Sequence, residues 1–437
     1  MELNVQIFHG NEWHDGASVR LEESEKGRWS PSIFDYDSDY FLEFASEDLA
    51  NDEEVIDCRA ASVWYPVNLE TPYSENWPGI IADMLPQGNA RQRMIRDLDL
   101  NDDPGADLEL LLRTGGSPVG NVRLKEAFED AAERITELQV PALTTEDIFG
   151  TSDVFREVAD RFAFIASGSR GLQGEWPKLA MTQDIEGHWY PDPLVEDDRA
   201  ERHVIVKLLK SDRDVDRLIL ESEAPYLEIA RWFGLDVADP LEYRDGVLLI
   251  PRFDRVKAGN QVQRIGQESI YSALGIADGS DQYWTHEGNL AAILPLSTDP
   301  VSVLKEYVLR DVLNIALGNV DNHGRNTALH KKMRWVGLSP VFDLAPMKMA
   351  PEMVTRTTKW DCMAKAGSDY DPDWAVVCET VADGVMDPEE LKLTLSEKAN
   401  FVRGLPALAD ELGVPELVID RAISNTDHLA DKLEELS

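Results

Sequence analysis

Cysteine is scarce in this chain: Cys58, Cys362 and Cys378 are the only three in 437 residues. An odd number at wide spacing fits neither a disulfide framework nor a paired-cysteine zinc site. Cationic side chains are also few, 42 Lys and Arg against 82 Asp and Glu, for a formal net charge of −40. A field of that sign repels phosphate backbones and argues against direct, autonomous binding of nucleic acid. Two readings of the acidity stay open: a solvated, salt-adapted surface, and a face turned to a basic partner protein. Long apolar runs are missing as well. No stretch of about 18 apolar residues occurs, so no membrane-spanning helix is predicted. The first eight residues alternate like a strand and lack a basic start followed by an apolar block. No secretory signal is therefore expected, and the cytoplasm is the natural compartment. The pattern G-x-x-x-x-G-K-[ST] does not occur, which excludes a Walker-type phosphate loop.

What is present suffices for packed interiors. Apolar residues make up 43% and aromatics 8% of the chain, and the length calls for two or three domains. Residues 1–125 read as strands with a helical insert. Val5 to Phe8 and Ser18 to Leu21 flank a turn-rich run from Gly10 to Gly16, a hairpin signature. Trp77 to Pro86 reads as a short buried helix, and the turn cluster Thr114 to Asn121 precedes a strand at Val122 to Leu124. Residues 126–155 mix acidic residues with proline and are expected to be a connector. Residues 156–255 alternate strands with one helix, predicted from about Ser222 to Phe233 and stopped by Gly234. From 256 to 437 the pattern is mainly helical. Leu304, Val308, Val312, Ile315 and Ala316 recur at helical spacing and deliver the chain into Asp321. Strands followed by helices make an α+β chain.

Five features occur in an order that carries chemistry. The first is a glycine loop, Gly168-Ser169-Arg170-Gly171-Leu172-Gln173-Gly174, between two apolar runs. Such backbone can approach phosphates closely because glycine has no Cβ. The second is Lys207 near the end of an apolar strand, and the third is Glu223 on the following helix. Together they fit the strand-lysine and helix-glutamate pair that orients nucleotide phosphates. Fourth comes Asp321-Asn322-His323-Gly324-Arg325-Asn326, and fifth Asp343 in the apolar run Val341 to Pro346. Asp followed five residues later by Asn is the spacing at which a carboxylate meets an acceptor hydroxyl while the Asn oxygen meets Mg²⁺. A later Asp in an apolar setting supplies a second metal ligand. Each feature alone has an ordinary explanation: a hairpin glycine, an edge lysine, a helix-start glutamate, an Asx-rich turn. Their joint order points to phosphotransferase chemistry with ATP and Mg²⁺.

The chain resembles the HipA family of serine/threonine kinases, the toxin halves of bacterial toxin–antitoxin modules. The resemblance runs through Trp77 to Gly88, Ser117-Pro118-Val119-Gly120 and most of 162–346. Its most specific pieces are Gly171-Leu172-Gln173 with Pro177-Lys178, Val206-Lys207-Leu208, Ser222-Glu223, Arg252-Phe253-Asp254-Arg255, Gly318 to Asn326, and Phe342-Asp343. It implies a small β-rich N-terminal domain followed by a bilobal protein-kinase-like fold with a mainly helical C-lobe. It further implies Asp321 as catalytic base, Asn326 and Asp343 on Mg²⁺, and Lys207 on the α/β-phosphates, held by Glu223. Gly171, Gln173, Lys178 and Arg252 fall on the nucleotide side, with Phe253 and Asp254 at a hinge near adenine and ribose. His323 belongs to the same nucleotide-side loop and reads as scaffold, not as a base. Pro251 departs from the acidic or polar hinge residue common in the family, and Arg170 interrupts its usual small-residue run. The implied activity is phosphorylation of an aminoacyl-tRNA synthetase, glutamyl-tRNA synthetase first among them, causing growth arrest or persistence. The implied self-inhibition is autophosphorylation in the glycine loop, with Ser167 and Ser169 as the available hydroxyls. The implied partner is a HipB-like helix-turn-helix antitoxin, so that DNA is reached only indirectly. A small-molecule kinase of related fold and a catalytically weak binding or corepressor module are the alternatives.

Overall fold

The computed structural model describes residues 1–136, 140–162, 177–278, 284–363 and 371–437. It divides into two compact units: Met1–Lys210 with Val247–Ser280 and Ala328–Val336, and Ser211–Gly246 with Asp281–Thr327 and Gly337–Ser437. The fold class is α+β, as expected from the order of elements.

In the first unit, strands Glu2–His9 and Glu12–Leu21 pair antiparallel across Gly10 and Asn11, both at positive φ (60° and 70°). This is the tight turn whose twist matches that of the flanking strands, closer than the glycine-rich run suggested. Leu3, Val5 and Ile7 point inward with Val19 and Leu21. They pack against Trp77, Ile80, Ile81 and Leu85 around the helix Gly79–Ala82, and against Leu110 and Leu111 of Ala106–Thr114. Each such fully buried aliphatic side chain contributes about 1.5–3 kcal/mol. The strand Val122–Leu124 completes the sheet beside Glu2–His9, as its turn cluster predicts.

The expected connector is instead largely helical, with Lys125–Thr136, Thr145–Phe149 and Asp153–Phe162. Ala127 and Ala131 are buried one turn apart, while Glu129 and Glu133 are exposed. The acidic residues are thus the wet face of a helix. A second antiparallel sheet of this unit runs in the order Trp189–Pro191, Lys178–Asp184, Ala200–Leu208, Val247–Pro251. Its inner face packs Leu179, Met181, Val204, Val206 and Leu249 against Phe155 and Val158. The helical pattern expected after residue 256 begins later, because strands Arg255–Ala258, Gln261–Arg264 and Gly266–Ser269 come first. The fully buried Lys331 donates to the carbonyls of Ala60 and Ala61 at 2.9 Å and meets Glu268 at 3.3 Å. This ties strand Ala328–Lys332 to the N-terminal domain.

The second unit is mainly helical. Its long helices are Asp214–Phe233, closed by Gly234 at φ 98°, and Pro300–Leu317. The first starts at Asp214 rather than near Ser222, with Pro225 inside it. Four further helices fill Pro388–Ser396, Ala399–Glu411, Glu416–Ala422 and Thr426–Glu434, in keeping with the mainly helical pattern expected up to 437. One two-residue parallel pair, Trp284–Thr285 with Thr358–Lys359, lies in this unit.

Candidate active site

The helix Pro300–Leu317 determines where the Asp321 loop begins. Asp299 caps its start by accepting from Ser302 N at 3.1 Å, with Pro300 in the first turn, both common N-terminal signals. Gly318 ends it at φ 66°, and a Cβ there would meet the Ala422 carbonyl oxygen at 2.8 Å. Only glycine fits that approach in that conformation. Asn319 then donates to Asn314 Oδ1 at 2.9 Å and accepts weakly from Asp321 N at 3.4 Å. The chain reaches Asp321 already turned away from the helix axis.

Within the loop, the two ends of the Asp-to-Asn spacing are joined. Asn326 Nδ2 donates to the main-chain oxygen of Asp321 at 2.8 Å, a bond that engages its amide nitrogen and not its Oδ1. His323 Nδ1 accepts from Arg325 N at 3.2 Å, and its Nε2 lies 3.5 Å from Asp321 Oδ1. Nδ1 as acceptor places the ring proton on Nε2, facing the carboxylate. His323 is therefore tied into the loop and steadies Asp321.

Asp343 follows from a pinned segment. Val341 N donates to Asp236 O at 2.8 Å, and Val341 bridges Val237 in parallel. Asp343 itself takes φ 53°, a conformation sparsely used by non-glycine residues and concentrated at functional sites. Its neighbours Phe342 and Leu344 line a cavity of about 50 Å³ together with Asp321, His323, Asn326 and Asn319. Asn326 Oδ1 and the Asp343 carboxylate are hard oxygen donors of the type Mg²⁺ prefers. With the Asn326 amide nitrogen already engaged, this donor set fits the metal. Glu223, buried in the middle of Asp214–Phe233, belongs to this unit too. Its mid-helix position rules out the helix-start role as its explanation.

In the first unit, the register sets Lys178 directly opposite Lys207 on adjacent strands, with Leu248 on the other side of Lys207. Lys207 is buried and Lys178 half-buried. Directly opposed residues of an antiparallel pair share a face of the sheet, so the two ammonium side chains leave the sheet on the same side. Phe253 sits 5.3 Å from the ring of His330. Gly171, Gln173, Ser167 and Ser169 lie outside the described residues.

Arg252 and Asp254 occupy a different setting from the one the resemblance implies. Asp254 accepts from Arg252 Nε and Nη2 (3.0 and 2.7 Å), Arg255 Nη1 (2.5 Å) and Gly120 N (2.9 Å). Arg252 also reaches Asp192 at 3.2 Å, and Arg255 donates to the carbonyl of Gly120 at 2.8 Å. Burial alone would raise the Asp254 carboxyl, but the Arg252 and Arg255 guanidiniums hold it below the usual carboxylate range. The Ser117–Gly120 segment, far away in sequence, is hydrogen-bonded through its backbone to the buried ion pairs of Arg252–Arg255.

Residues 170–403 match the HipA-like C-terminal domain, more than half of the chain. The chain belongs to the HipA family. Over 162 residues it is 28% identical to a putative kinase, Y4mE, of Sinorhizobium fredii, covering 34% of this chain and 38% of that protein. The match thus spans well under half of that relative's length. A solved HipA from the toxin–antitoxin complex of HipA, HipB and operator DNA of Shewanella oneidensis MR-1 superposes with a TM-score of 0.59 at 16% identity. It covers 99% of this chain and 96% of that one, so the two share a fold. Among the described residues, no helix of this HipA-family chain is long and apolar enough to cross a membrane.

Sequence reasoning missed the polar layer under the loop of this HipA-family chain. His286 stacks on Trp360 (centroids 4.4 Å apart) and its Nδ1 lies 3.0 Å from the Tyr307 hydroxyl. Its Nε2 is 3.3 Å from Arg356 Nη2 and 3.6 Å from Asp311 Oδ1. Burial pushes the His286 imidazole from 6.5 down to about 4, Asp311 and Glu287 opposing that shift and Arg356 reinforcing it. Between those pH values the unfolded chain binds the proton and the folded chain does not. Stability is therefore full above about pH 6.5 and falls as pH drops toward 4, by on the order of 3 kcal/mol from this residue. His9, in the first unit, is likewise held at about 4 and adds to the slope. The depressed Asp311 carboxyl weakens the fold only at lower pH, when it takes up a proton. Thermal melts at stepped pH are expected to show a midpoint falling from pH 6.5 to 4.5, with a shallower fall in His286→Asn. Equal slopes would contradict the assignment.

Proposed function

We propose that this HipA-family chain is an ATP- and Mg²⁺-dependent protein serine/threonine kinase, and the toxin half of a toxin–antitoxin pair. The observation that carries this is the bond from Asn326 Nδ2 to the Asp321 main-chain oxygen. It gives the two ends of the loop different tasks, a carboxylate for the acceptor hydroxyl and an amide oxygen for the metal, beside the segment that bears Asp343. Asp321 accepts the proton of the attacking hydroxyl, and its neighbour His323 steadies the carboxylate. Lys207 and Lys178 bind phosphate oxygens. Asn326 and Asp343 would hold Mg²⁺, which when bound neutralises charge on the β- and γ-phosphates. Gly171 and Gln173 cover the nucleotide, and Ser167 or Ser169 is the site of self-modification. Phe253 lies on the adenine side, while Arg252 and Asp254 act through the architecture of their ion-pair network. A helix-turn-helix antitoxin neutralises the chain and carries its contact with DNA; the Shewanella HipA was solved in complex with HipB and operator DNA. The net charge of −40 suits a basic partner of that kind.

The substrate is an aminoacyl-tRNA synthetase, glutamyl-tRNA synthetase in the first instance. The test is a phosphoproteomic comparison of cells expressing wild type or Asp321→Ala. A new phosphoserine or phosphothreonine on a synthetase, with growth arrest, is expected for wild type alone. Identical phosphoproteomes and unimpaired growth would contradict the protein-kinase reading.

A further inference from the structure

Asn322, one residue past the proposed base, makes four hydrogen bonds to just two residues. Its Nδ2 donates to Thr358 O at 2.9 Å, and its Oδ1 accepts from Thr357 N and Thr358 N at 3.1 and 3.3 Å. Thr358 Oγ1 returns a bond to the Asn322 main-chain oxygen at 2.8 Å. The gripped residues are themselves bracketed by a single carboxylate. Arg356 Nη2 donates to Asp311 Oδ1 at 2.5 Å and Trp360 Nε1 to Asp311 Oδ2 at 2.8 Å. Asp311, Arg356 and Trp360 are all buried. Beyond the bracket, Glu287 accepts from Asp361 N and Cys362 N, both at 2.9 Å. Thr358–Lys359 is also laid alongside Trp284–Thr285.

These contacts close a ring. Asp311 stands on the helix Pro300–Leu317, the same helix that ends at Gly318 and delivers Asp321. From Asp311 the ring passes through Arg356 and Trp360 to Thr357 and Thr358, then through Asn322 back to the loop and the helix end. A loop rich in Asn, His and Gly has little stiffness of its own, and the buried bracket on Asp311, both of whose carboxylate oxygens accept a hydrogen bond, supplies it. We propose that Asp311 and Asn322 are positioning residues that hold the Asp321 carboxylate at its working place through the 356–360 segment. This rests on the kinase reading above. Both residues line the cavity that Asp321, His323 and Asn326 line, and the role assigned to them runs through the Asp321 carboxylate. Their effect falls on the turnover step, because a misplacement of about 1 Å at a reacting group costs about 10²-fold in rate.

The test uses the purified full chain with Mg·ATP, following transfer of the γ-phosphoryl to the chain itself or to water. Asn322→Ala is expected to lower kcat by about 10- to 100-fold with KM for Mg·ATP changed less than about threefold, and with an unchanged thermal midpoint. Asp311→Asn should act in the same direction, and the double variant should be little worse than the worse single, because both cut one ring. Should Asp311→Asn fail to fold, Trp360→Phe removes one of the two brackets and takes its place. Amide hydrogen exchange provides an arm that needs no turnover. Asp311→Asn or Trp360→Phe should speed exchange in 319–326, to which each is linked through the 356–360 segment. Unchanged kcat in Asn322→Ala beside an active wild type, or multiplying effects in the double variant, overturns the proposal. Exchange in 319–326 that ignores the 356–360 variants overturns it too. A wild type without turnover removes the kinase reading instead, and the exchange arm still decides the ring.

Discussion

Asp321→Ala is expected to lower phosphoryl transfer by about 10²–10⁴-fold, the range for loss of a positioned general base, while Mg·ATP affinity stays within about twofold. The reason for the split lies in how the loop is built. The bond that orients Asn326 goes to the main-chain oxygen of residue 321 and not to its carboxylate, so the alanine variant keeps the metal side intact. Asn322 retains all of its bonds to Thr357 and Thr358 as well. What is lost is the carboxylate and its contact with His323 at 3.5 Å. Steady-state turnover together with calorimetric titration of Mg·ATP checks this. His323→Ala should be the milder variant, since the ring reaches the reaction only through Asp321. A larger loss in His323→Ala than in Asp321→Ala would transfer the role of base to the histidine.

Asp254→Ala is expected to be the most destabilising single change in the first unit, costing about 3–5 kcal/mol. Removing one partner of a buried ion pair leaves the other undercompensated: here Arg255 loses its carboxylate contact and falls back on the carbonyls of Gly120 and Pro118, and Arg252 falls back on Asp192. The change also removes the acceptor for Gly120 N, so the Ser117–Gly120 turn loses an anchor. Thermal melts and amide exchange across residues 117–124 are the measurements. Asp254→Asn provides the sharper comparison, because it keeps an acceptor for Gly120 N while losing the charge. If Asp254 acted on ribose, the asparagine variant would weaken ATP binding with little loss of stability. The network predicts the reverse: a lowered midpoint, with ATP affinity per folded molecule retained.

Sequence reading worked best where one short segment contains its own physics. The hairpin at Gly10-Asn11, the strand Val122–Leu124, the stop at Gly234 and the helix delivering Asp321 all follow from local pattern and turn chemistry. The Asp321-to-Asn326 spacing was legible for the same reason. The start of the Asp214–Phe233 helix was not, since the pattern predicts a helix only from about Ser222 and the charged Arg213-Asp214-Val215-Asp216 lies well before it. In the fold, Asp216 is buried and accepts from Arg213, which pulls the charged stretch into the helix. Residues 126–155 misled in a similar way, their acidic face reading as a linker until Ala127 and Ala131 are seen to be buried. The long-range bonds were beyond reach altogether. Nothing near Asn322 says that its partners are Thr357 and Thr358, and nothing near Asp254 names Gly120. A polar side chain's partners are set by the tertiary fold, so the site's supporting layer is visible only in three dimensions.

The central claim is that the loop from Asp321 to Asn326, with Asp343, transfers a phosphoryl group from Mg·ATP to a protein hydroxyl. Incubation of the purified chain and a cell extract with γ-labelled ATP, with and without EDTA, followed by phosphoamino-acid analysis, tests it most directly. Label in phosphoserine or phosphothreonine that EDTA, Asp321→Ala and Asp343→Ala each abolish is the predicted result. Absence of label from wild type with Mg²⁺ present, or label that persists in Asp321→Ala, would contradict it.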